Sequence, residues 1–147
     1  MKNYKHIVCA IDFSRHGEAA CMRAIELITH YGSHLTLLHV VENFPEDRSN
    51  EVIAPEHIDP ALYREGQARK ELSKLATRLQ YLAATHQVLF SMHAAWHEIV
   101  RFAEENKVDL IVVGSHGNHG IAAVLGSTAS GVVNHAPCDV LAVRAQP

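Results

Sequence analysis

The chain has 147 residues, 48% of them hydrophobic and 20% charged, with a formal net charge of −3 at neutral pH. That length suits a single domain spanning residues 1–147, large enough to bury roughly 70% of its unfolded surface without staples. The composition excludes wholesale disorder, and the weakly acidic balance argues against nucleic-acid binding, which needs a basic face.

Ile7, Val8, Cys9, Ala10 and Ile11 are apolar at both parities, the pattern of a strand covered on both faces. Ala20, Ala24, Leu27, Ile28 and Tyr31 then step by three and four, which predicts an amphipathic helix over 16–31, stopped by Gly32. Ser14 reads as the cap of that helix. Residues 35–41 form a second apolar run, in which His39 is expected as a hydrogen-bonded core or site-wall residue. The connection over 42–60 carries Pro45, Pro55 and Pro60 with little periodicity, and a loop of that length in a compact domain is functional or mobile.

Ala68, Leu72, Leu75, Ala76, Leu79, Leu82 and Ala83 predict a longer helix ending near Thr85. Residues 87–92 give a weaker strand. Trp96, Ile99, Val100 and Ala103 mark a short helix whose tryptophan is expected to pack on the sheet. Leu110, Ile111, Val112 and Val113 form a further strand, ended by Gly114. Ala129, Val132, Val133 and Ala136 mark the last helix, with Ser127 expected as its cap and Pro137 closing it. Residues 140–143 form the last strand. Strands alternating with helices imply a parallel sheet, and right-handed crossovers put helices on both faces, a three-layer α/β/α fold.

No apolar stretch approaches the ~20 residues that span a bilayer, and the apolar run before Asp12 is short for a signal peptide. Cys9, Cys21 and Cys138 are odd in number and widely spaced, so a reducing cytosol is expected rather than a disulfide framework.

In an open parallel sheet, ligands bind beyond the carboxyl ends of the strands where the crossovers reverse direction. Asp12 follows the first strand there, either as an acceptor for a ribose hydroxyl or as a turn residue. The fourth strand leads into Gly114, Ser115, His116, Gly117, Asn118, His119 and Gly120, then Gly126, Ser127 and Thr128 before the last helix. Glycines give positive φ and close approach, successive N–H groups form anion nests, and a helix N-terminus favours negative charge. Together these residues suit a phosphate cradle, or equally turns and a cap without a ligand. The stretch is neither a Walker A loop nor the dinucleotide fingerprint. Twelve histidines include the near pairs His93/His97 and His116/His119, but neither pair has zinc-site spacing and company, so no metal is expected. No nucleophile elbow or His-Glu-x-x-His motif is present, so no catalytic residue is assigned.

Residues 4–14, with Asp12 and Ser14; Leu37, Leu38, His39 and Val40; residues 108–117; and Gly126, Ser127 with residues 135–143 resemble the universal stress protein family over about residues 3–145. The resemblance implies a five-stranded parallel sheet in order 3-2-1-4-5 and a homodimer; the open apolar edge of the last strand places the dimer interface at residues 139–144, and the cysteine usage and missing catalytic motifs make a cytosolic, non-enzyme protein the expectation. It implies ATP or AMP between strands 1 and 4, with Asp12 at the ribose, the Val40 backbone at adenine, and Gly114, His116, Gly117, Gly126, Ser127 and Thr128 about the phosphates. One departure is visible: eight residues rather than nine separate Gly117 from Gly126. The alternatives are a family member that retains no nucleotide and acts through protein partners, a nucleotide-hydrolysing enzyme, and a histidine-rich metal-binding protein.

Overall fold

The structure is a computed structural model that describes residues 3–42, 54–116 and 124–146. The elements run β1 (His6–Ala10), α1 (Arg15–Tyr31), β2 (His34–Glu42), α2 (Pro60–Arg78), β3 (Thr85–Ser91), α3 (Ala95–Glu105), β4 (Leu110–Gly114), α4 (Ser127–His135) and β5 (Asp139–Val143). The five strands form an all-parallel sheet in order β3-β2-β1-β4-β5. This is the expected fold class and strand order.

Alternation along β1 divides the core. Ile7 and Cys9, with Ile11 beyond them, face α1 and α2, where they meet Ala20, Ala24, Leu72 and Leu75. Val8 and Ala10 face α3 and α4, where they meet Ile99, Ala103, Ala129 and Val132. Both-face burial is why β1 and β4 read as unbroken apolar runs. No helix among the described residues is long and apolar enough to cross a membrane. None of the three cysteines is in a disulfide, and Cys9 and Cys21 are buried.

The helix ends follow local chemistry. Ser14 Oγ caps α1 by accepting from the Gly17 N–H at 3.1 Å, and Gly32 ends the helix at φ 67°. The second helix departs from expectation at both ends. It begins at Pro60, because the Asp59 carboxylate accepts from Ala61 N–H at 2.8 Å and proline suits the first helical position. None of the residues in its first two turns is buried, so no apolar stripe marked them. It stops at Arg78 rather than near Thr85: Gln80 takes φ 56°, and Leu82, which extended the apparent stripe, is 74% exposed. Residues 43–53 of the long connection lie outside the described residues.

Trp96 is also placed differently. It borders the α3/α4 core, but its ring lies on α4 rather than on the sheet alone. It stacks on His135 with centroids 4.2 Å apart and on His97 at 3.6 Å. Gly131 makes the room, since a Cβ there would meet the indole Cγ at 2.2 Å.

Candidate functional site

The order β3-β2-β1-β4-β5 puts the reversal of crossover direction between β1 and β4. α1 and α2 cover one face and α3 and α4 the other, so the chain parts in opposite directions beyond Ala10 and Gly114. A cavity opens there with about 580 Å³ of empty space, part of it open to solvent. Ala10, Leu38, Val40, Val113, Ala95 and Ile99 give it an apolar floor, and Asp12, Glu42, Ser127 and Thr128 are among its polar lining. An apolar hollow with a few convergent polar groups is the usual form of a small-molecule site.

Asp12 projects from the turn after β1. Its Oδ1 accepts from the Ser14 N–H at 3.0 Å and from the Ser14 hydroxyl at 2.5 Å. The carboxylate therefore makes the turn with one oxygen and has the other available to a ligand. Gly17 makes room for it, since a Cβ at that position would meet Oδ1 at 2.6 Å. Between the two lies Phe13 at φ 62°, its ring 4.6 Å from that of His39. His39 Nδ1 donates to the Ile11 carbonyl at 2.6 Å. Burial pushes the His39 pKa down, against the opposing pull of the Ile11 carbonyl and Asp12, and so favours a neutral ring.

Gly126, Ser127 and Thr128 form the opposite rim. The expected Ser127 cap is not formed: Gly126 is the N-cap, Ser127 is the first helical residue, and among the described residues no side chain caps α4. Among the described residues the first N–H groups of the helix thus have no side-chain partner beside the cavity, where an anion is favoured. Gly114 is needed for a reason other than turn conformation. Among the described glycines only Gly32 has positive φ, and Gly114 ends β4 against the α1 backbone. A Cβ there would lie 2.8 Å from the His16 carbonyl carbon and 3.0 Å from the Gly17 nitrogen.

The structure therefore brings Asp12, Val40, Gly114, Gly126, Ser127 and Thr128 to one cavity. His116 is not among the lining residues; it is buried, with Nδ1 2.8 Å from the Ser115 hydroxyl. Gly117 lies outside the described residues. Glu42, which sequence reasoning placed after the second strand without a role, and Ala95 and Ile99, which it did not consider for the site, also line the cavity. Desolvation raises the Glu42 carboxyl, offset in part by the Ala95 N–H at the start of α3. Gly17 carried a legible signal, because a glycine inside a helix costs roughly 0.5–1 kcal/mol relative to alanine and wants a steric reason. Among the described residues, no group of three or more His, Cys, Asp or Glu is arranged to hold a metal ion.

The sequence model of the universal stress protein family matches residues 3–144. The chain belongs to that family. Universal stress protein A homolog 1 of Coxiella burnetii is 35% identical over 141 residues, covering 96% of each chain. Homolog 2 of the same organism is 36% identical over 146 residues, covering 98% of this chain and 97% of its own. Among solved structures, universal stress protein UspA from Lactobacillus plantarum aligns with a TM-score of 0.73 at 26% identity, covering 98% of this chain and all of its own. Two more distant structures share the fold. One is a universal stress protein in complex with cAMP, with a TM-score of 0.68 at 23% identity over 99% of this chain and 100% of that one. The other is the Archaeoglobus fulgidus protein in complex with dAMP, with a TM-score of 0.65 at 20% identity over 97% of this chain and 99% of that one.

Proposed function

We propose that this universal stress protein is a single-domain, cytosolic homodimer that holds an adenine nucleotide between β1 and β4 and acts by binding rather than by catalysis. The observation that carries this reading is the facing of the Asp12 carboxylate and the uncapped start of α4 across one apolar-floored cavity. A carboxylate suits ribose hydroxyls, and a helix N-terminus suits phosphate. That fold relatives are bound to cAMP and dAMP supports the adenine class. In this reading Asp12 accepts from the ribose, the Val40 backbone meets adenine, and Gly114, Gly126, Ser127 and Thr128 surround the phosphates. Gly117 joins the phosphate loop, and His116 supports it.

The eight-residue spacing between Gly117 and Gly126 sets the expected affinity. One residue spans up to ~3.6 Å, so its loss alters how closely Ser127 approaches phosphates held by the glycines. Losing a charge-assisted hydrogen bond costs about 1.5–3 kcal/mol, roughly 10- to 150-fold in affinity. The Asp12 and Val40 contacts do not depend on that spacing. AMP is therefore expected to rival ATP.

Calorimetry with AMP and ATP tests the reading. Comparable affinities support it, and ATP at nanomolar affinity or far tighter than AMP shows a loop that closes fully. Failure of both to bind at millimolar concentration favours a member that retains no nucleotide and acts through protein partners. Nucleotide turnover with and without Mg²⁺ overturns the non-enzyme assignment. The dimer is inferred from β5, an edge strand whose Val140, Leu141, Ala142 and Val143 are only half-buried in one chain. Such an apolar edge calls for cover. A single 16.2 kDa species by light scattering at micromolar concentration refutes the dimer.

A further inference from the structure

His16 stands where three segments meet. It belongs to the first turn of α1, and its ring centroid lies 5.2 Å from that of His116, which follows β4. Its Nδ1 accepts the backbone N–H of Ala145, beyond the end of β5, at 2.9 Å. Ala145 is buried although it lies past the last strand. The same region is joined by two backbone bonds. Ser115 N–H donates to the Val143 carbonyl at 2.7 Å, and Gly126 N–H donates to the Ser115 carbonyl at 2.7 Å. Gly126 is the N-cap of α4. The end of β5 is thus tied to α1 through one imidazole and to the start of α4 through Ser115.

An imidazole accepts at Nδ1 only while that nitrogen carries no proton. Protonation there sets N–H against N–H across the same 2.9 Å. The surroundings add to the effect. The charged and titratable groups about His16 are Arg15 on its own helix, Arg144 beyond β5, His116 after β4 and Asp12 after β1. An imidazolium at His16 therefore joins two guanidinium groups and a second imidazole, with one carboxylate in opposition.

We propose that His16 is an acid-sensitive latch: neutral, it holds the segment after β5 against α1, and protonated, it releases that segment. Desolvation and then His116, Arg15 and Arg144 lower its pKa, with Asp12 opposing. The sign follows from linkage. A histidine whose folded pKa is lowered contributes fully above the ordinary value of ~6.5, and its contribution is lost as pH falls below that value toward the folded one. The latch is a property of the His16–Ala145 hydrogen bond and does not rest on nucleotide binding.

Hydrogen-exchange protection of the Ala145 amide, corrected for intrinsic exchange, tests the latch in the full chain from about pH 7.5 to about pH 4.5. Protection is expected to fall roughly tenfold or more on acidification while the Val112 amide in the sheet keeps its own. His16→Asn offers a side-chain oxygen near the Nδ1 position that does not titrate, and its Ala145 protection is expected to be flat with pH. His16→Ala is expected to lack the protection at every pH. Unchanged wild-type protection across the window, or the same loss in His16→Asn, overturns the proposal. Should the variants fail to fold, imidazole ¹⁵N shifts of the wild type decide: His16 must be unprotonated at Nδ1 at neutral pH and titrate together with the loss at Ala145. A proton on Nδ1 at neutral pH refutes the latch. Absence of AMP binding at neutral pH bears on the nucleotide reading alone.

Discussion

The two ends of the same sheet are built in opposite ways. Where the strands begin, polar groups close on one another. Asp109 Oδ2 accepts from the N–H groups of Lys5 at 2.9 Å and His6 at 2.8 Å. The Ser33 hydroxyl donates to the Tyr4 carbonyl at 2.5 Å, and the Tyr4 hydroxyl donates to Asp139 at 2.8 Å. His6 Nε2 meets the Thr36 hydroxyl at 2.8 Å. Where the strands finish, Asp12, Glu42 and the uncapped start of α4 surround empty space. The difference follows from topology, since crossovers that leave for opposite faces cannot fill the crevice between β1 and β4. The starting end closes its polar groups on one another, and the finishing end leaves Asp12, Glu42, Ser127 and Thr128 around an open cavity, the place of the proposed ligand.

The largest expected effect sharpens that contrast by locating backbone packing at the open end. Gly114→Ala is expected to cost about 3 kcal/mol in urea denaturation, the upper part of the usual overpacking range. The new methyl meets main-chain atoms of His16 and Gly17, which cannot swing aside. A loss below about 1 kcal/mol shows that α1 yields, and the end is then looser than its geometry implies.

At the closed end, Asp109→Ala is expected to cost about 2 kcal/mol, because two backbone N–H groups lose a carboxylate acceptor. AMP affinity is expected to stay the same by calorimetry. A change in affinity would break the division between the two ends.

Asp12→Asn reverses the roles. Asparagine keeps an oxygen for the Ser14 turn but removes the charge, so AMP and ATP affinities are both expected to fall roughly tenfold. The melting temperature is expected to hold. Ser14→Ala is smaller again, about 1 kcal/mol, because it removes the α1 cap and one partner of Asp12.

Acid is expected to act at both ends. Desolvation lowers the pKa of His6 at one end and of His39 at the other. Both therefore contribute stability that is complete above the unfolded value of ~6.5 and is lost as pH falls below it. Denaturation midpoints measured on either side of that value check the sign. A protein that grows more stable on acidification there contradicts it.

The core and the elements were legible in the sequence because burial on both faces leaves apolar runs and burial on one leaves a helical stripe. The starts and stops were legible where a local bond sets them, as at Ser14 and Gly32. They were not where the signal lay outside periodicity. The first turns of α2 bury no residue and are set by Asp59 and Pro60, and Leu82 continued a stripe that the chain had already left. Ser127 had the right chemistry for a cap, but the backbone places Gly126 there and leaves the serine beside the cavity.

By itself the sequence determined the alternation of strands and helices, hence a parallel sheet, and the family, whose model matches residues 3–144. These are local patterns, set by which side chains avoid water and which backbone positions a side chain would block. Only the tertiary structure decided what each residue meets. Gly114 serves the approach of α1, Gly17 makes room for a carboxylate, and Trp96 settles over Gly131 on α4. His16 takes up the N–H of Ala145 from 129 residues away in the chain. Such pairings are fixed by the path of the backbone in space, and no periodicity in the sequence carries them.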